Sequence, residues 1–253
     1  MIVPVAVPDD RLRSILGRTS PLTKLAVAIA WLAGLAITKQ PWPPVAIALV
    51  ALSAGLVLGR IPAGTLVRAI APLWIVAVVV AVSNTVFGAA NPDPAASEIL
   101  QLGPLRITEQ ALATGLALGL RVVAIASVGA VFALTTDPTR LVDALVQQGR
   151  MPERFAFGAL AAYQAVPHFA EDLATLRQAR RIRGLRASWH PGLLLGLLVL
   201  AIRHGDRMAL AMDARAFGSG PRGRYREVHW GPLDLAVGLG AIAALLLALL
   251  LGG

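Results

Sequence analysis

Five runs of apolar residues leave this chain few ways to fold. They extend from about Leu22 to Thr38, Val45 to Leu58, Ile70 to Phe87, Gln110 to Leu134 and Leu233 to Leu251. Backbone placed in lipid must satisfy its own N–H and C=O groups, so only helices or closed barrels are stable there. An α-helix needs about 20 mostly apolar residues to cross. Four runs approach that length. Val45–Leu58 is short and is expected to cross with little tilt or to be partly embedded in protein. A mean hydropathy of +0.70 and only 15% charged residues support the same placement, since soluble domains carry about 25% charge.

The absence of cysteine excludes disulfides, iron–sulfur clusters and thiolate zinc sites. The net charge of +9 comes mostly from arginine. Such a charge can mark nucleic-acid binding, but only 5% of residues are aromatic and no stacking platform for bases is evident. In a membrane protein the commoner cause is topology, because basic residues accumulate on the cytoplasmic side. The N-terminal stretch Met1–Ser20 is polar, and the first apolar run is long enough to span, so it is expected to be retained rather than cleaved.

The same rule orients the spans. The basic N-terminus, Arg60, Arg68 and everything after Thr135 fall on the cytoplasmic side, and Lys39 and Asn91–Glu98 on the other. Ser20 is placed to cap the first span, with Pro21 in its first turn. Gln40–Pro44 is expected to break the chain, Pro72 to lie in the first turn of the third span, and residues 88–106 to form a polar, Pro-rich loop. The expected fold is an all-α integral membrane protein. About five transmembrane helices are joined by long amphipathic cytoplasmic coupling helices. Residues 1–136 form a bundle of about four spans, 137–230 the cytoplasmic region, and 231–253 a last span.

The cytoplasmic region carries fourteen arginines against eight acids. Pro138, Pro152, Pro167 and Pro191 divide it into four stretches read as amphipathic helices at the inner membrane face. Two basic elements stand out. The first is Arg177–Arg186, with Arg177, Arg180, Arg181, Arg183 and Arg186; the second is Ala214–Arg215–Ala216–Phe217–Gly218, preceded by Arg207. Each closes with a glycine, Gly184 or Gly218, suited to the left-handed geometry of a helix C-cap. Simple attraction to anionic lipid, about 1 kcal/mol per arginine, is one reading. The sharper one is protein recognition, because a guanidinium offers carboxylates a planar fork and complements a helix C-terminus.

Order and spacing carry a resemblance. Ser20–Pro21–Leu22–Thr23–Lys24–Leu25 resembles the opening Asp-Pro-Arg-Thr-Lys-Leu signature of the transmembrane T component of energy-coupling factor transporters. Thr135–Thr136–Asp137–Pro138 with Leu141, Ala144 and Leu145, then Pro152, resembles the segment leaving that family's membrane bundle. Pro167 sits where the family has a proline before its first coupling helix. Ile182–Arg183–Gly184 is similar to the family's first Ala-Arg-Gly motif, with isoleucine for alanine. Ala214–Arg215–Ala216 is similar to the second, with alanine for glycine.

The resemblance covers nearly the whole chain and implies a non-catalytic coupling subunit in a bacterial plasma membrane. Its implied partners are two cytosolic ATP-binding ATPase subunits, a substrate-binding membrane S component that chooses the vitamin or metal ion, and the bilayer; nucleic acid is not among them. Ile182, Arg183, Gly184, Ala214, Arg215 and Ala216 would dock the ATPases. Arg177, Arg180, Arg181, Arg186 and Arg207 would support them. Phe155, Leu160, Leu173 and Leu195 would face the S component or support the bundle.

Arg121 lies mid-way along the fourth run, where an arginine costs roughly 2.5–3.5 kcal/mol on insertion scales. It is expected either to snorkel or cap backbone carbonyls, or to be a polar joint in the coupling lever. The four histidines show no metal-ligand spacing, and no metal or cofactor is expected. No phosphate loop, His-Glu-x-x-His or Gly-x-Ser-x-Gly is present. A substrate-conducting permease and an integral membrane enzyme are the alternatives.

Overall fold

A computed structural model describes residues 9–38, 40–88, 91, 97–102, 105–185, 190–218 and 226–250; Lys39 and Arg186 lie outside them. The helices are α1 (Asp9–Leu12), α2 (Ile15–Arg18), α3 (Pro21–Ile37), α4 (Trp42–Val57), α5 (Ala63–Val86), α6 (Glu109–Thr135), α7 (Pro138–Gln147), α8 (Glu153–Ile182), α9 (Pro191–Ala214) and α10 (Pro232–Leu250). Among the described residues one antiparallel hairpin, β1 (Glu98–Leu102) with β2 (Leu105–Thr108), interrupts this all-α membrane fold. Helices α5, α6 and α10 are long and apolar enough to cross a bilayer, and α3 and α4 are shorter apolar helices. Residues cluster into two compact units, Ala6–Leu141 with His229–Gly253, and Val142–Val228.

In the first unit, α3, α4, α6 and α10 share a core of Trp31, Leu35, Ile47, Ala51, Ala124 and Val128. Trp31 brings a polar N–H into this core and donates it to the Ala241 carbonyl of α10 at 2.9 Å. Against α6 lies α5, and the contact depends on missing side chains. A Cβ on Gly115 would fall 2.6 Å from the Ala81 carbonyl oxygen, and one on Gly119 2.9 Å from that of Ala77. Small residues let membrane helices approach closely where apolar burial alone gives no drive. The opposite face of α5, with Val67, Trp74, Ile75 and Val79, is exposed and apolar, as lipid requires.

Several helix ends differ from expectation. Helix α4 begins at Trp42, so Pro43 and Pro44 occupy its first turn rather than breaking the chain; the first turn needs no N–H from them. Helix α5 begins at Ala63, which puts Arg68 inside it and Pro72 in its interior rather than its first turn. Burial explains the extension: Leu66 and Ile70 pack with Ile61 and Ala126. Part of the expected 88–106 loop is the β-hairpin. Asn91 ties the hairpin's exit to α5: its Nδ2 donates to the Thr85 and Val86 carbonyls and its Oδ1 accepts from the Thr108 N–H at 3.1 Å.

A polar junction closes one end of this unit. Lys24 is buried, and its ammonium donates to the Thr135 carbonyl at 2.8 Å. Asp234, also buried, accepts from the Ser20 N–H at the start of α3 and from the Gly231 N–H at 2.8 Å. Arg140 donates to the Gly17 carbonyl at 3.0 Å.

The second unit contains an antiparallel helical pair. Phe157 of α8 meets Phe217, just beyond α9, edge to face at 6.1 Å; Phe169 meets His204 at 6.1 Å; Leu176 lies over Gly196. Rising numbers in α8 pair with falling numbers in α9, so the two run in opposite directions. Residues 138–214 therefore form three helices, not four, because α8 continues through Pro167. An interior proline costs about 3 kcal/mol, and packing against α9 on both sides of it outweighs that loss.

Candidate functional site

Both arginine motifs fold into the same local structure. Helix α8 ends at Ile182, Arg183 is its C-cap, and Gly184 follows with φ +74°. The Gly184 N–H donates to the Arg181 carbonyl at 3.0 Å and the Leu185 N–H to the Arg180 carbonyl at 3.1 Å. Helix α9 ends at Ala214, Arg215 is its C-cap, and Ala216 follows with φ +54°. The Ala216 N–H donates to the Asp213 carbonyl at 2.9 Å and the Phe217 N–H to the Met212 carbonyl at 3.0 Å. Both are Schellman caps, which satisfy the last orphan carbonyls of a helix.

The left-handed position was expected at Gly218, yet Ala216 holds it. Gly218 also has a positive φ, +79°, but serves another purpose. The Arg154 guanidinium lies on its α-carbon, where a Cβ would come within 2.6 Å of Nε, and Nη2 donates to the Gly218 carbonyl at 3.4 Å. The end of α9 is thus braced by Arg154 and Phe157 from the start of α8. At the end of α8, by contrast, a Cβ added to Gly184 would meet nothing within 4 Å among the described residues.

Ile182, Arg183, Gly184, Ala214, Arg215 and Ala216 are all exposed, Ile182 at 87%. Arg177, Arg181 and Arg207 are exposed too. Arg180 differs: it is half-buried, and its Nε is buried without a hydrogen-bond partner. Because α8 and α9 are antiparallel, the two C-caps lie at opposite ends of the pair. Helix α8 has 30 residues; at about 1.5 Å per residue the caps stand roughly 40 Å apart. Each arginine is the C-cap of a helix, whose terminus carries partial negative charge and favours a cation nearby. An acidic groove on another protein would complement such a tip.

Of the apolar residues assigned to the coupling helices, Phe155 and Leu195 are exposed, and Leu160 and Leu173 are half-buried. Arg121 acts elsewhere. It is in α6, and its Nη2 donates to the carbonyl of Thr38, the C-cap of α3, while its Nε is buried without a partner. A guanidinium there meets a helix end's orphan carbonyl.

Sequence reasoning missed three supports. His190 caps α9 by accepting from the Gly192 N–H at 3.0 Å. Gln147 clamps the segment after the second motif, donating to the Arg226 carbonyl at 2.7 Å and accepting from the Val228 N–H at 2.9 Å. Arg154 braces Gly218. Only His190 had a readable signal, because Pro191 after it suits the first turn of a helix.

Residues 13–225 match the family described as cobalt transport protein, CbiQ. A protein described as the energy-coupling factor transporter transmembrane protein EcfT, from Acidaminococcus fermentans, is 26% identical over 252 residues, covering 92% of this chain and 91% of that one. Its counterpart from Bacillus selenitireducens is 24% identical, covering 100% of this chain and 98% of its own. A putative ABC transporter ATP-binding protein from Bifidobacterium longum is 27% identical over 154 residues, 54% of this chain but 19% of that much longer one.

Proposed function

The chain belongs to the cobalt transport protein family, CbiQ, and from that premise we propose that it is the non-catalytic transmembrane coupling subunit of an energy-coupling factor importer in a bacterial plasma membrane. The observation that carries the mechanism is a pair of exposed arginines, Arg183 and Arg215, at the C-caps of two antiparallel helices. Each tip docks on one of two cytosolic ATPase subunits and pairs there with acidic groups. A helical pair holding its tips roughly 40 Å apart resists bending, so approach of the two ATPases moves the pair as a body. That motion passes to a membrane S component through exposed apolar positions such as Phe155 and Leu195. The S component binds the cargo, a vitamin or a metal ion.

The experiment is co-purification of the full complex with Arg183→Glu and Arg215→Glu. Each reversal puts an acid against an acidic groove and is expected to lower ATPase recovery at least tenfold, in keeping with the roughly 3–5 kcal/mol lost when one partner of a desolvated pair is removed. The double variant is expected to abolish transport. Full assembly of both single variants would overturn the proposal.

A further inference from the structure

The bundle of the first unit contains a cavity of about 400 Å³ that the coupling role leaves unused. Its walls are apolar, with Val27, Trp31, Ala51, Val128 and Val237 among them, and it is not sealed. Two lining residues break the pattern, Lys24 and Thr135. Lys24 is in the first turn of α3 and Thr135 is the last residue of α6; Leu58 and Leu233, which also line the cavity, are at the end of α4 and the start of α10. The cationic group therefore marks one end of an apolar chamber.

The charge at that end is positive. The Lys24 ammonium has three N–H donors and gives one to the Thr135 carbonyl. Its charged neighbours are Arg140 and Asp234. Both carboxylate oxygens of Asp234 accept from backbone N–H groups, of Ser20 and Gly231. Ile15 and Leu16 complete the wall, and Arg13 and Arg18, next to them in the chain, are exposed.

An apolar void of this size forfeits dispersion contacts along its whole lining, and water gains nothing from apolar walls. A bilayer supplies a filler, the acyl chain. We propose that the cavity holds one acyl chain of an anionic phospholipid whose headgroup phosphate accepts hydrogen bonds from Lys24, with Arg13 and Arg18 at the rim. A zwitterionic lipid of the same chains brings a quaternary ammonium to a cationic end and binds more weakly. The proposal is independent of ATPase docking.

Native mass spectrometry of the full-length chain in non-ionic detergent tests it, titrated with dioleoylphosphatidylglycerol, dioleoylphosphatidylcholine and oleate. One phosphatidylglycerol per chain is expected to be retained at least tenfold more strongly than phosphatidylcholine. Lys24→Met should cut that preference below twofold while leaving phosphatidylcholine binding unchanged, and Lys24→Arg should keep it. Ala51→Leu, which fills the chamber, should remove both lipids. Gly240→Leu, at an exposed position on the lining, makes the same test if Ala51→Leu does not fold. Equal retention of the two phospholipids would overturn the proposal, as would retention of oleate alone. So would wild-type phosphatidylglycerol binding in a monodisperse filled variant.

Discussion

Gly184 and Ala216 occupy the same place, one residue past the C-cap of α8 and of α9, with φ of +74° and +54°. The glycine adopts this left-handed backbone without penalty, whereas the alanine pushes a Cβ toward the following carbonyl. The two arginine tips are therefore built alike but under different strain. The strained one, at Arg215, is the one braced by Arg154 and Phe157.

Exchanging the two residue types should move the tips in opposite directions. Ala216→Gly relieves a left-handed alanine and is expected to stabilise the α9 cap by about 0.5–1 kcal/mol. Gly184→Ala meets nothing within 4 Å, so it adds only the backbone penalty and should weaken the α8 cap by about 1 kcal/mol. Amide hydrogen exchange at Phe217 and Leu185, whose N–H groups close the two turns, should slow in the first variant and quicken in the second. The same sign in both would show that φ does not govern these ends.

The seam between α5 and α6 should be intolerant of any side chain. Gly115→Leu and Gly119→Val each place atoms against backbone carbonyls of α5, which cannot rotate away as a side chain can. Overpacking of this kind costs about 1–3 kcal/mol. Gly129→Leu is the control on the same helix, because an added Cβ there meets nothing within 4 Å. Thermal unfolding midpoints in detergent should fall for the first two and hold for the third.

The apolar helices were legible because lipid demands continuous apolar length, which hydropathy reads directly. Their ends were not, because proline reports only a missing donor. Pro43 and Pro44 sit in a first turn and Pro72 and Pro167 in helix interiors, and the surrounding packing decides which. The arginine tips were legible from Gly184 and from the shared order of residues. The left-handed position at Ala216 was hidden, since an alanine does not announce a positive φ. Contacts between distant residues left no trace in the sequence. Arg154 reaches Gly218 across 64 residues, and Asp234 reaches Ser20 across 214. The cavity was invisible for a related reason, being the space that α2, α3, α4, α6 and α10 together fail to fill.

Asp234 should prove more sensitive than any other acid near the bundle's end. Its two carboxylate oxygens serve two helix starts at once, through the Ser20 N–H of α3 and the Gly231 N–H before α10. Asp234→Ala leaves both donors without that acceptor in a buried site, and each such loss costs about 1–3 kcal/mol. Asp234→Asn keeps one acceptor oxygen but turns an amide N–H toward a donor, so it should recover little. The carboxylate also offsets the buried charge of Lys24. Adding Lys24→Met to Asp234→Ala should therefore destabilise less than the sum of the single changes, by roughly 0.5–3 kcal/mol as in other coupled neighbours. Chemical denaturation of the four proteins in detergent measures this coupling. Strict additivity would mean that Asp234 acts only as a cap and that Lys24 is held by the Thr135 carbonyl alone.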